Sequence, residues 1–126
     1  MAAKNILVID DEELLIKSFS KLLEKQGYHV YTVKNGADAV VVAEEENFDL
    51  VISDIRMPGQ NGIETIRKIR DHQARKKKLE IPVIFITGYA DEDLEKEAKK
   101  LNPVAYIHKP FDIGRFLEIV NSAIAR

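Results

Sequence analysis

Four apolar runs in this sequence end in side chains that could hold a cation or polarise an oxyanion. Asp10, Asp11, Glu12 and Glu13 follow Ile6-Leu7-Val8-Ile9, and Ser53 and Asp54 follow Leu50-Val51-Ile52. Thr87-Gly88 follows Val83-Ile84-Phe85-Ile86, and His108, Lys109 and Pro110 follow Val104-Ala105-Tyr106-Ile107. Singly, each has an ordinary explanation: an aspartate can cap a helix, a threonine can bond backbone, and a lysine can be solvated. Gathered into one crevice, Asp10, Asp11 and Asp54 against Lys109 would carry a net charge of -2. Such a cluster repels itself unless a divalent cation neutralises it. The chain has no cysteine, and His108 reads as a structural or solvated residue. Oxygen ligands alone suit Mg²⁺ or a similarly hard ion rather than zinc.

The elements that would bring these residues together can be read from periodicity. The four runs are continuous and rich in β-branched and aromatic residues, the pattern of strands buried on both faces of a helix-covered parallel sheet. A fifth run, His29-Val30-Tyr31-Thr32-Val33, alternates more and suits an edge strand. Between the runs the period becomes helical. Leu15, Ser18, Phe19, Leu22 and Leu23 form one stripe, and Gly27 stands where a helix end favours positive φ. Asn35-Gly36 opens a helix over Ala37 to Glu46, and Asn61-Gly62 opens another carrying Ile63, Ile66 and Ile69. Asp91 opens a more polar helix with Leu94, Ala98 and Leu101 facing inward. Asp112 caps a last one with Ile113, Phe116, Leu117, Val120 and Ile124. The order is βα repeated five times, an α/β class with right-handed crossovers. In open α/β sheets, chemistry gathers beyond the carboxyl ends of the strands, where all four clusters lie. Mg²⁺ holds its ligands at about 2.1 Å, and neighbouring strands run about 4.8 Å apart. Asp11 and Asp54 can therefore share an ion only if the first and third strands are neighbours, which sends the second strand to the edge.

Composition narrows the classes further. The 126 residues are 45% hydrophobic and 32% charged, an ordinary globular balance with room for one domain over residues 1–126. Net charge of -2 argues against a whole-surface polyanion binder. Without cysteine there can be no disulfide, thiolate metal site or thiol nucleophile. The longest apolar run, Ala39 to Ala43, is far short of the roughly 20 residues of a membrane span, and the stretch after Lys4 stops too early for a signal peptide. A cytoplasmic protein with neither membrane nor direct nucleic-acid contact is expected.

At these residues the chain resembles the receiver domains of two-component response regulators, along essentially its whole length. The resemblance is carried by Ile6 to Glu12, by Asp54-Ile55-Arg56-Met57-Pro58-Gly59 with Gly62, by Ile86-Thr87-Gly88 and by Tyr106-Ile107-His108-Lys109-Pro110-Phe111. It implies a flavodoxin-like, doubly wound five-stranded parallel sheet of order 2-1-3-4-5 with helices on both faces. It makes Asp54 the phosphoryl acceptor, and Asp11, Asp54 and the Arg56 carbonyl the Mg²⁺ ligands, with Asp10 acting through water. Thr87 and Lys109 would contact the phosphoryl group, and Thr87 and Tyr106 would form the switch. Arg56 and Tyr89 would flank the path of hydrolytic water and set the lifetime of the phosphorylated state. The partners implied are a histidine kinase or phosphotransfer protein, a downstream effector, and a second copy of the phosphorylated domain. A cis Lys109-Pro110 peptide fits this pattern.

Three rival readings fit less well. A flavodoxin-type cofactor binder needs a phosphate-cradling loop after the first strand, where this chain has four acids. A Mg²⁺-dependent phosphohydrolase would pair Asp-x-Asp there and carry a cap over its substrate. A degenerate receiver, acting only as an interaction module, would not need the complete acceptor, metal and lysine set. The basic segment Arg70 to Glu80 is expected to be a solvated extension of the third helix. The sequence stops at Arg126 without a DNA-binding or catalytic output segment, as suits either a stand-alone receiver or one cut from a longer protein.

Overall fold

Strands and helices alternate along the chain in the computed structural model, which describes residues 3–57 and 59–125. Pro58 of the Asp54-to-Gly59 segment and Arg126 therefore lie outside the described residues. The first half comprises β1 (Asn5–Ile9), α1 (Glu13–Lys25), β2 (His29–Val33), α2 (Gly36–Glu45) and β3 (Leu50–Asp54). The second comprises α3 (Gly62–Arg75), β4 (Val83–Thr87), α4 (Glu92–Lys99), β5 (Ala105–His108) and α5 (Ile113–Ala125). All strand pairs are parallel, in the order β2-β1-β3-β4-β5. The adjacency of β1 and β3 that a shared ion demands is present.

Alternate residues of each strand feed two cores. Leu7, Ile9, Val51, Val83 and Phe85 pack against Ala39 of α2, Ile63, Ile66 and Ile69 of α3 and Ala98 of α4. Ile6, Val8, Leu50, Ile52, Ile84 and Ile86 face Phe19 and Leu23 of α1 and Phe116, Val120 and Ala123 of α5. The helices begin where short polar side chains can take up free amides. Asn35 Oδ1 accepts from Asp38 N at 2.8 Å, Asn61 Oδ1 from Glu64 N at 2.9 Å and Asp112 Oδ2 from Arg115 N at 2.9 Å. Gly27 has φ 93°, as its place after α1 requires.

Several expectations need correction. In α1, Phe19 and Leu23 are buried and Leu15 and Leu22 pack beside them as the stripe requires, but Ser18 is exposed and Ile16 is buried: a polar side chain gains nothing from leaving solvent. Ile113 is 57% exposed, because the buried face of α5 is the one that carries Phe116, Val120 and Ala123. β5 is only half-buried, since the fifth position is an edge of the sheet. The basic segment is not one helical extension. α3 stops at Arg75, and the chain turns at Lys77 with φ 56°. Arg70 is not solvated either. Its side chain is 11% exposed, its Nη1 donates to the Leu101 carbonyl, and its Nη2 donates to Ile81 O at 3.3 Å.

Candidate functional site

Strand register builds the site. Ile9 pairs with Ser53, so Asp10 comes level with Asp54 as both strands end. Asp54 pairs with Ile86, which puts Thr87 one step beyond, and Thr87 pairs with His108 immediately before Lys109. Carboxylate oxygens of Asp10, Asp11 and Asp54 all lie within 4.8 Å of one another. Asp10 and Asp54 are buried and Asp11 is exposed, so the cluster opens to solvent on one side. Asp54 Oδ1 accepts from Ile55 N at 2.8 Å, and Asp10 Oδ1 accepts from Glu12 N at 2.9 Å.

Lys109 is brought in by its own loop. The Lys109-Pro110 peptide is cis, and Lys109 N donates to Thr87 O at 2.8 Å. Phe111 stacks on Phe19 of α1 at 5.8 Å and packs against Phe116 of α5 at 5.2 Å, pinning the loop on its far side. Lys109 Nζ donates to Asp10 Oδ2 at 3.4 Å and to Glu12 Oε1 at 3.2 Å. The ammonium thus bridges the wall of the crevice and does not rest on Asp54. Thr87 is buried, and its Oγ1 accepts from Tyr89 N at 3.1 Å.

The electrostatics are those of an under-neutralised acidic cluster. Burial, and then the charge of Asp10, push Asp54 up to about 6, against the pull of Lys109. Burial also raises Asp10, with Glu12 N–H and Lys109 opposing. For Lys109, burial acts downward but the charges of Asp10, Asp54 and Glu12 outweigh it, and its pKa is raised. One ammonium does not balance three clustered carboxylates. Hard oxygen donors, close spacing and residual negative charge together fit a divalent cation such as Mg²⁺.

Tyr106 and Arg56 both lie toward the start of α4. The half-buried Tyr106 ring lies 6.4 Å from Phe85 and edge-on to His108 at 5.4 Å. Burial, with Glu95 and Asp91 nearby, raises its hydroxyl pKa. Arg56 extends over Tyr89, with Cζ 4.4 Å from the ring centroid, and its Nη2 donates to Asp91 Oδ2 at 3.1 Å.

Three roles escaped the sequence reading, although their residues were named there. Glu12 shares Lys109 with Asp10, a pairing across 97 positions that no local pattern announces. Asp91 was readable as a cap but not as the partner of Arg56. Gly62 lets α3 press against the acceptor strand: a Cβ there would stand 2.0 Å from the Asp54 carbonyl oxygen, and Gly62 N donates to Ile55 O at 2.8 Å.

Residues 6–121 match the family model of the response regulator receiver domain. This chain belongs to that family. The receiver is 33% identical over 119 residues to the polar-differentiation response regulator DivK of Brucella anthropi, covering 94% of each chain. It is 36% identical over 121 residues to a probable transcriptional regulator, ycf29, of Pyropia yezoensis, spanning 96% of this chain but 53% of that protein. Among solved structures, it superposes on a CheY-like receiver domain from Methanospirillum hungatei with TM-score 0.87 and 28% identity, covering 98% and 95% of the two chains. A receiver domain from Clostridium thermocellum gives TM-score 0.85 and 30% identity, again over 98% and 95%. Receivers are signalling modules of two-component systems rather than turnover enzymes, and they typically bind Mg²⁺ through a cluster of aspartates; Asp10, Asp11 and Asp54 lie close enough together to hold an ion. No helix among the described residues is long and apolar enough to cross a membrane.

Proposed function

We propose that this receiver accepts a phosphoryl group on Asp54 from the phosphohistidine of a histidine kinase or phosphotransfer protein, in a Mg²⁺-dependent step in the cytoplasm. The observation that carries the reading is the Asp54 carboxylate at the end of β3, gathered with Asp10 and Asp11 and facing the Lys109 side of the crevice. Ile55 N–H occupies Asp54 Oδ1, leaving Oδ2 to attack phosphorus. The phosphorus–nitrogen bond breaks as the new phosphorus–oxygen bond forms, and the imidazole nitrogen keeps the electron pair. Asp10 through water, Asp11, Asp54 and the Arg56 carbonyl would hold Mg²⁺, whose charge offsets that of the incoming oxygens.

The acyl phosphate raises the local charge from -1 to about -2 and presents new acceptor oxygens. Lys109 moves from Asp10 and Glu12 onto these oxygens, and Thr87 gives up Tyr89 N to donate its hydroxyl to one of them. Tyr106 then turns into the space Thr87 leaves. That motion shifts the face made by α4, β5 and α5 between two populations, and this face contacts the downstream effector or a second phosphorylated copy. Arg56 and Tyr89 set the lifetime by restricting the in-line approach of water, so slow self-dephosphorylation ends the signal.

Transfer from a phosphohistidine donor tests the reading. Label should pass to wild type in the presence of Mg²⁺ and fail to pass to Asp54→Asn or after chelation. Undiminished labelling of Asp54→Asn would refute it. Specific association of an unlabelled receiver with its effector, equal with and without phosphodonor, would favour a non-phosphorylated interaction module.

A further inference from the structure

Helix α4 begins on a carboxylate with two engagements. Asp91 Oδ1 accepts from Asp93 N and Leu94 N, both at 3.1 Å, and so caps the helix. Asp91 Oδ2 accepts from Arg56 Nη2 at 3.1 Å, while the same guanidinium lies 4.4 Å from the centre of the Tyr89 ring. Arg56 stands two residues beyond the acceptor, and α4 is one wall of the face that responds to it. A single ion pair, between residues 35 positions apart, therefore joins the acceptor loop to the start of α4. The Leu94 N–H, and with it the Arg56 guanidinium, hold the Asp91 carboxyl below its ordinary range, so the pair is charged at neutral pH.

We propose that Asp91 is a positioning residue for the acyl phosphate: its carboxylate draws the Arg56 guanidinium toward α4, and so limits how far Arg56 covers the phosphorus. This rests on phosphoryl acceptance at Asp54. The phosphoryl oxygens, at about -2, compete with the Asp91 carboxylate for one guanidinium. When Arg56 crosses to them, Asp91 keeps its cap bonds but loses its ion pair, and the start of α4 is released from the acceptor loop. In hydrolysis, a water oxygen bonds to phosphorus as the bond to Asp54 breaks. The carboxylate leaves with the electron pair and the water proton passes to solvent. An Arg56 held by Asp91 obstructs that line of approach less than one resting on the phosphoryl group.

The substitution Asp91→Asn retains a side-chain oxygen for the two cap bonds while removing the charge, and Asp91→Ser serves as a second neutral cap. Phosphorylated protein is followed by intact mass at constant Mg²⁺ after the donor is removed. Loss of phosphate should slow by about two- to fivefold in both variants, the range of an exposed ion pair, with unchanged helical circular dichroism. In an Arg56→Ala background, Asp91→Asn should have no further effect. High salt should shrink the difference between wild type and Asp91→Asn, since the pair is exposed. Labelled wild type and variants with identical decay would overturn the role of Asp91 alone, as would equal slowing without Arg56. Failure of wild type to take any added mass would instead bring down acceptance at Asp54 and this role with it.

Discussion

Replacing Asp54 with asparagine should make the metal-free receiver more stable while removing its acceptor. Asp54 is 5% exposed and its folded pKa is about 6, against 3.8 for a free carboxyl. A gap of about 2 units, at 1.36 kcal/mol each, corresponds to about 3 kcal/mol. The sign follows from proton binding. The native state holds this proton more tightly than the unfolded chain, so ionisation works against folding. The destabilisation is full above the folded value near 6 and fades as the pH falls toward 3.8. Asparagine keeps an oxygen for the Ile55 N–H, bonded at 2.8 Å, and takes away both the buried charge and its repulsion of Asp10. In chelator near pH 7, Asp54→Asn should gain about 3 kcal/mol in urea unfolding, or roughly 10 °C in Tm. Near pH 5 the gain should fall to about 1.5 kcal/mol. Added Mg²⁺ should stabilise wild type more than the variant and narrow the gap. A variant no more stable than wild type near pH 7, or a gain that does not decline with acid, would refute this view of the cluster.

Other perturbations separate the remaining parts. Lys109→Ala should still accept phosphate, more slowly, yet fail to switch; amide shifts around Tyr106 that match phosphorylated wild type would contradict this. Arg56→Ala, Tyr89→Ala and the double variant should each lose phosphate faster at constant Mg²⁺, with less than additive effects if the pair forms one barrier. Rates equal to wild type in all three would remove both from the water path. Gly62→Ala should cost about 1–3 kcal/mol, because its Cβ would collide with the Asp54 carbonyl at 2.0 Å. Gly114→Ala, whose Cβ meets nothing nearer than 3.5 Å, is the control and should be neutral or stabilising in the same unfolding assay.

What was legible in the sequence follows from what each residue must satisfy. Leu50-Val51-Ile52 and Val83-Ile84-Phe85-Ile86 read as central strands because both faces of β3 and β4 are buried, so apolar residues run unbroken up to Ser53 and Thr87. Sheet order was accessible through chemistry: acids at the ends of β1 and β3 can share one ion only as neighbours, and they are. Helix starts were readable where Asn35, Asn61, Asp91 and Asp112 supply local bonds. Long-range partners were not. Arg70 belongs by composition to a basic run, yet its guanidinium is bonded to the carbonyls of Leu101 and Ile81, beyond the reach of any local periodicity. The same holds for Lys109 with Glu12 and for Arg56 with Asp91. Ile113 looked like core because an apolar residue at helical spacing fits a stripe, but within the same first turn of α5 it is Phe116 that is buried against the sheet.

Covalent mapping of the phosphorylated residue is the most direct test of the central claim. Protein phosphorylated in Mg²⁺ is treated with borohydride, which reduces an aspartyl phosphate to the corresponding alcohol, and the peptides are sequenced by mass spectrometry. The expected result is homoserine at position 54 alone, absent when Mg²⁺ is chelated before the donor is added. Homoserine at position 10 or 11 in wild type, or phosphorylated protein that yields none, would contradict the assignment of Asp54 as the acceptor.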